Sequence, residues 1–289
     1  MEGIEIMSYQ SKITALVINL DSAKQRWDFQ SKQLDKLAIP YQRWEAISVD
    51  SLTEYEYEKW ANDWQRKLRR TEVACFLSHY LVWRHVANSE QSFLILEDDA
   101  LLSQDLPTTL FEISGNPDIK YDHITFETRG RKKLISKQGI HINRDVALHE
   151  LFLDKTGAAA YLLTPKGAQI LLDAVEKFGA GLADALLCHT KGLKSMQAVP
   201  ALAIQMDMAE HYAMPELQIS AIASSNISTP ANSKPPAKDL MDKFKYKSRR
   251  ISAQLGMGVK QLKNASNGSY QKLMPNPNDF IYLNDLVNG

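Results

Sequence analysis

Ile13-Thr-Ala-Leu-Val-Ile-Asn-Leu20 is a near-continuous apolar run rich in β-branched residues. Without polar alternation, such a run reads as a strand buried on both faces, as in a parallel sheet. Asp21 and Ser22 offer an N-cap for a helix to about Leu37, with Trp27, Leu34 and Leu37 on one face. Pro40 ends that helix, and Tyr41 to Ile47 reads as a second strand. The three make a β-α-β unit with a right-handed crossover. The expected fold class is therefore α/β: a mostly parallel, Rossmann-like sheet flanked by helices.

The rest of the chain extends this pattern. Thr71 to Ala87 is apolar nearly all round, which predicts a buried helix. Phe93 to Leu96 is a short buried strand, and further strands are expected at Tyr121–Glu127 and Ala159–Leu163. Residues 51–70 read as a mobile helical segment, and the basic stretch 129–150 as a loop. Thr164-Pro165 has the form of an N-cap with Pro at the first helical position, opening a helix to about Phe178. Ser224 to Lys238 is rich in Ser, Pro and Asn and reads as a linker. The expected division is a catalytic domain over 1–225, then a linker and a basic helical extension over 226–289.

Of the 289 residues, 34 are basic and 34 acidic, so no global field draws the chain onto nucleic acid. Cys75 and Cys188 lie far apart in apolar stretches. That argues against a disulfide scaffold and a cysteine-based zinc site, and suits a reducing compartment. The opening residues carry Glu2 and Glu5 without an apolar core, unlike a secretory signal. Apolar runs fall far short of the roughly 20 residues of a membrane span. The expected location is cytoplasmic.

The chemistry concentrates at Glu97-Asp98-Asp99, directly after the apolar strand. In open α/β sheets ligands bind beyond the carboxyl ends of strands. Adjacent carboxylates raise one another's pKa unless a cation compensates. A hard ion with oxygen ligands, Mg²⁺ or Mn²⁺, is the natural partner. In an extended chain Glu97 and Asp99 point the same way and Asp98 the other. An ion held by that pair would neutralise charge on a leaving diphosphate. A solvated acidic turn is the alternative.

Four blocks in order carry a resemblance to glycosyltransferase family 25. This family comprises bacterial lipopolysaccharide and lipooligosaccharide core glycosyltransferases and is related to collagen galactosyltransferases. Val17-Ile-Asn-Leu-Asp21 with Arg26 resembles its opening strand and loop. Glu72-Val-Ala-Cys-Phe-Leu-Ser-His79 resembles its E-x-x-C-x-x-S-H helix. Ile95-Leu-Glu-Asp-Asp99 resembles its LEDD, the counterpart of D-x-D. Gly157-Ala-Ala-Ala-Tyr161 with Lys166-Gly-Ala168 resembles its small-residue block. The resemblance implies a GT-A-like fold, a UDP-galactose or UDP-glucose donor, inversion at the anomeric carbon and a lipooligosaccharide acceptor.

Within that frame Asn19, Asp21, Arg26, Ser78, His79, Asp98 and Gly157 are candidate donor contacts. Helix caps, solvated charges, a satisfied core histidine and close backbone packing are the alternatives. Glu97 and Asp99 are the candidate metal ligands, with His211 or His189 as a third. An inverting displacement needs one general base. Asp184 is the first candidate; Glu127 is the second, or instead a contact to the donor sugar. From Lys243 to Lys272 the chain holds eight basic residues and no acid, which suits an anionic membrane surface or a phosphorylated glycolipid acceptor, or else a solvated face. A nucleotidyltransferase and a non-catalytic sugar- or metal-binding protein are the competing classes.

Overall fold

The structure is a computed structural model describing residues 12–154, 157–214, 235 and 239–288. Strand β1 (Ala15–Asn19) is buried at every position. Its side chains alternate between two layers: Ala15 and Val17 enter one core, Leu16 and Ile18 the other. Helix α1 (Lys24–Lys36) returns the chain to β2 (Tyr41–Glu45), which pairs parallel with β1. Strand β3 (Phe93–Glu97) lies parallel on the other side of β1. The β-α-β unit is as expected, except that α1 is capped at Ala23 without a side-chain cap.

Strands β5 (His123–Thr125), β6 (Lys132–His141), β7 (Ala147–Leu153), β8 (Ala160–Leu163), β9 (Ser195–Val199) and β11 (Gly268–Lys272) complete a nine-stranded sheet. Its order is β11-β6-β7-β9-β5-β8-β3-β1-β2. Strand β8 runs antiparallel to β3 and β5, while β5 and β9 are parallel. The β6, β7, β9 and β11 edge is otherwise antiparallel. Strands β4 (Ala100–Leu102) and β10 (Ala203–Gln205) form a small second ribbon. Helices α1 and α4 (Leu106–Gly115) cover one face of the large sheet. Helices α3 (Arg70–Ala87), α5 (Pro165–Phe178) and α6 (Ala183–His189) cover the other. The Thr164 cap on α5 forms as expected, accepting from Gly167 N–H.

Three expectations are corrected. Residues 51–70 are pinned rather than loose: α2 (Glu54–Ala61) has a Thr53/Glu56 capping box, and Leu52, Tyr57, Ala61 and Leu68 are buried against α3. Stretch 129–150 is not a loop but the β6–β7 hairpin. Register shifts between Leu134 and Gly139 break the period-two pattern that would reveal it. The C-terminal segment is more than a helical extension. After α7 (Leu240–Lys263), β11 joins the main sheet at β6, and Phe280 and Leu283 of the segment entering α8 (Leu283–Asn288) bury beside Phe29 of α1. The expected boundary at 225/226 lies outside the described residues, as do 224–234 and 236–238 of the expected linker.

Candidate active site

Parallel strands β1, β2 and β3 carry their carboxyl ends to one edge, where a cleft of 770 Å³ opens. Its walls are the loop from Leu20 to Arg26, the segment Ala46–Asp50 and the α3 face bearing Ala74, Cys75, Ser78 and His79. Glu97, Asp98 and Asp99 lie at its base.

The chain turns after Glu97, and the three carboxylates take separate surroundings. Asp98 is buried, with Oδ1 2.7 Å from Arg26 Nη1 and Oδ2 accepting from Asn19 Nδ2 at 2.8 Å. Arg43 Nε in turn donates to Asn19 Oδ1 at 2.9 Å. Burial nonetheless raises the Asp98 pKa against the pull of Arg26. Glu97 is partly open to the cleft; Oε2 accepts from Gln205 Nε2 at 3.3 Å and Oε1 lies 3.1 Å from His79 Nε2. Asp99 has an enclosed Oδ1 with no hydrogen-bond partner among the described residues. Burial, then Glu97 and Asp98, push its pKa well above the usual carboxylate range.

His79 is oriented from behind. Trp83 Nε1–H donates to Tyr161 Oη at 2.9 Å, and Tyr161 Oη lies 2.9 Å from His79 Nδ1. The consistent assignment has the Tyr161 hydroxyl donating to Nδ1 and Nε2–H donating to Glu97. One buried chain of bonds thus links the β8 strand to the acidic end of β3. Ser78 lines the cleft, but its hydroxyl donates to Ala74 O and accepts from Ile47 N–H, tying α3 to the segment after β2.

Glu127 is fully buried; Oε2 accepts from Ala159 N–H at 2.9 Å and Oε1 is enclosed without a partner among the described residues. Burial raises its pKa to about 7. Gly157 sits against it at φ +127°, where an added Cβ would stand 3.4 Å from Glu127 Oε2. Beneath lies Lys133, buried, 2.6 Å from Asp154 Oδ2 and donating to the Glu127 carbonyl at 2.9 Å. Asp184 is half-buried in the first turn of α6, with Oδ1 accepting from Ala185 N–H. Burial, then the charge of Glu97, raises its pKa, while His79 lowers it.

Most predicted residues therefore meet around the end of β3; the exceptions are Asp21 and His211. Asp21 is not among the residues lining the cleft; its side chain is 79% exposed and pairs with Arg43 at 3.2 Å. His211 packs against Gly130 and the ring of Tyr212. Glu97, Asp99 and His211 do not assemble as a ligand trio; the group that does, among the described residues, is Cys75, His79 and Glu97, with ligand atoms within 4.8 Å of one another. Cys75 thus stands beside His79 and Glu97, although its apolar sequence setting argued against a cysteine-based metal site. Its signal was the Cys75/His79 spacing of four on a helix, which places both on one face. Arg26 lines the cleft and pairs with Asp98 through Nη1.

A buried polar atom normally has a partner. Asp99, with its orphaned Oδ1, and the partly open Glu97 both line the cleft, and carboxylate oxygens are the ligands a hard divalent ion prefers. Mn²⁺ or Mg²⁺ fits the residues present.

Residues 12–187 match the family described as glycosyltransferase family 25 (LPS biosynthesis protein). A provisionally named glycosyltransferase of Haemophilus influenzae is 27% identical over 199 residues, 65% of this chain and 69% of that protein. Lipooligosaccharide biosynthesis protein lic2B of Haemophilus influenzae is 33% identical over 98 residues, 33% of this chain and 37% of that protein. Human procollagen galactosyltransferase 2 is 27% identical over 142 residues, 49% of this chain and 22% of that protein. Among solved structures, the inositol-1-phosphate CTP transferase from T. maritima aligns at 14% identity and TM-score 0.40, covering 82% of this chain and 98% of that one.

Proposed function

Because the chain belongs to glycosyltransferase family 25, we propose that it transfers a hexose, galactose from UDP-galactose in the first instance, onto a lipooligosaccharide core acceptor with inversion. Support for the sugar and acceptor comes from the names of the relatives, a procollagen galactosyltransferase and a lipooligosaccharide biosynthesis protein. The observation that carries the reading is the unpartnered Asp99 Oδ1 beside Glu97 at the base of a 770 Å³ cleft.

In this reading the UDP moiety occupies the cleft between the segments after β1 and β2. Glu97 and Asp99 would hold Mn²⁺ or Mg²⁺, which when bound offsets the charge of the departing diphosphate. His79, fixed by Tyr161 and Trp83, orients the Glu97 carboxylate. Arg26 and Asn19 hold Asp98 so that it does not repel its neighbours toward solvent. The acceptor oxygen attacks the anomeric carbon as the bond to the diphosphate breaks. Asp184, the more exposed candidate, takes the hydroxyl proton. Glu127 is enclosed and keeps its proton to about pH 7, which suits donation to a hydroxyl of the donor sugar.

No described helix is long and apolar enough to cross a membrane. A lipid-linked acceptor nevertheless calls for work at a membrane face, and we place the enzyme peripherally on the cytoplasmic side. The test is UDP release from a panel of UDP-sugars with Mn²⁺, with Mg²⁺ and with chelator. Metal-dependent release from UDP-galactose supports the proposal; release from no UDP-sugar would overturn it.

A further inference from the structure

Helix α7 is 24 residues long, and its two faces differ sharply. At about 100° per residue, Asp242, Tyr246, Arg249, Ala253, Met257 and Lys260 fall on one side, and all are buried or half-buried; Gly258, on the other side, is the one further half-buried position. Tyr246 Oη bonds Asn62 Oδ1 at 3.2 Å, and Arg249 Nη1 donates to Asn62 O at 2.7 Å. This polar seam fixes the helix to the body of the protein. The opposite arc, about 100° wide, carries Leu240, Phe244, Ile251, Leu255, Val259 and Leu262, together with Met241, Ser248 and Gly258. The first six are between 47% and 81% exposed. An apolar stripe six side chains long is not a scatter of surface residues.

Lysines border the stripe on both sides. Lys243 and Lys247 fall on one flank, Lys245 and Lys263 on the other, and all four are exposed. Apolar residues between lysine rows match a helix lying in a bilayer interface, where long lysine stems reach back to the headgroups. A second copy of the helix is a poorer partner, because stripe-to-stripe contact would bring lysine rows together, whereas paired helices flank their seam with opposite charges.

We propose that α7 docks on an anionic phospholipid bilayer by inserting its apolar stripe, with the flanking lysines on lipid phosphates. This deepens the peripheral placement above and rests on that reading. It replaces attraction of a basic segment alone with a buried apolar contact, and that difference is testable. Vesicles of phosphatidylglycerol and phosphatidylcholine, and of phosphatidylcholine alone, would be sedimented with the full chain at low and high salt. A stripe variant (Phe244→Ser, Leu255→Ser, Leu262→Ser) keeps every charge; a flank variant (Lys243→Gln, Lys245→Gln, Lys247→Gln, Lys263→Gln) keeps the stripe. The expected result is tenfold or greater loss of anionic-vesicle binding in the stripe variant at both salt concentrations. The flank variant should bind more weakly than the parent and with little salt dependence. Undiminished binding by the stripe variant, no binding by the parent, equal binding to neutral vesicles, or a dimer that the stripe variant dissociates would each overturn the proposal. UDP release on the same preparations separates the two claims, since α7 is not part of the cleft. Release without vesicle binding refutes only the docking, and vesicle binding without release refutes only the transferase reading.

Discussion

Asp98 meets Arg26 at 2.7 Å and Asn19 at 2.8 Å in surroundings that leave its side chain 11% exposed. Removing one partner of a mostly buried ion pair strands the other charge, at a cost of about 3 kcal/mol. Arg26→Ala should lower the urea midpoint accordingly, and adding Asp98→Asn should restore part of the loss. If Arg26→Ala is neutral, the pair is not holding the acidic turn. Glu127 gives a pH signature. Its pKa moves from an ordinary 4.5 to about 7 on folding. Between those values the native state binds more protons than the unfolded chain, so stability falls as pH rises and levels off above about 7. The loss is about 3 kcal/mol at most. Asp98, Asp99 and Asp184 are raised too and slope the same way. Glu127→Gln should therefore flatten, not abolish, the fall in urea midpoint between pH 5 and 8; an unchanged profile would mean that Glu127 is ionised throughout.

At this scale the sequence was most informative where residues are adjacent. Glu97-Asp98-Asp99 announced the site, but the extended alternation expected through Asp99 stops at Glu97, because Asp98 and Asp99 form a turn. The partners were not legible, because Arg26, Tyr161 and Gln205 reach Glu97, Asp98 or His79 only through the fold. Nor could spacing show that Asp21 faces solvent or that His211 packs on Gly130.

Elements with one strong period were read well. β1 and β3 are continuous apolar runs and α3 and α5 are capped helices, and each forms close to its expected limits. Hairpin β6–β7 escaped because its register shifts break the alternation of β6, and its charged residues resemble a loop. The C-terminal elements escaped for a different reason: β11 and the segment before α8 are short, and only pairing to distant partners identifies them. Their burial makes a firm prediction. Phe280 is 2% exposed beside Phe29 and Leu283, so Phe280→Ala should cost about 3–5 kcal/mol. A chain ending after Lys263 should lose cooperative unfolding by far-ultraviolet circular dichroism. If that truncated chain unfolds like the full one, the C-terminal strand is an accessory rather than part of the sheet.

For the molecule as a whole, the family match ends at Leu187, yet β9, β10 and β11 complete its sheets and Gln205 reaches Glu97. The cleft at the end of β3 belongs to the matched part, and α7 to the remainder. Donor and ion should bind cooperatively, because each covers charge the other leaves exposed. UDP with Mn²⁺ should raise the melting temperature more than the sum of either alone; a ligand at about 100 times its Kd adds roughly 2.7 kcal/mol. Additive shifts would mean separate sites. If the acidic end of β3 supports a metal-assisted transfer from a UDP-sugar, as proposed, the reaction should depend on both the ion and Asp99. The most direct measurement is UDP release from UDP-galactose by the parent chain and by Asp99→Asn, with Mn²⁺ and with chelator. The expected result is release by the parent only with metal, and loss of most of it in Asp99→Asn with the fold intact. Full release by Asp99→Asn, or release by the parent that chelator leaves unchanged, would contradict it.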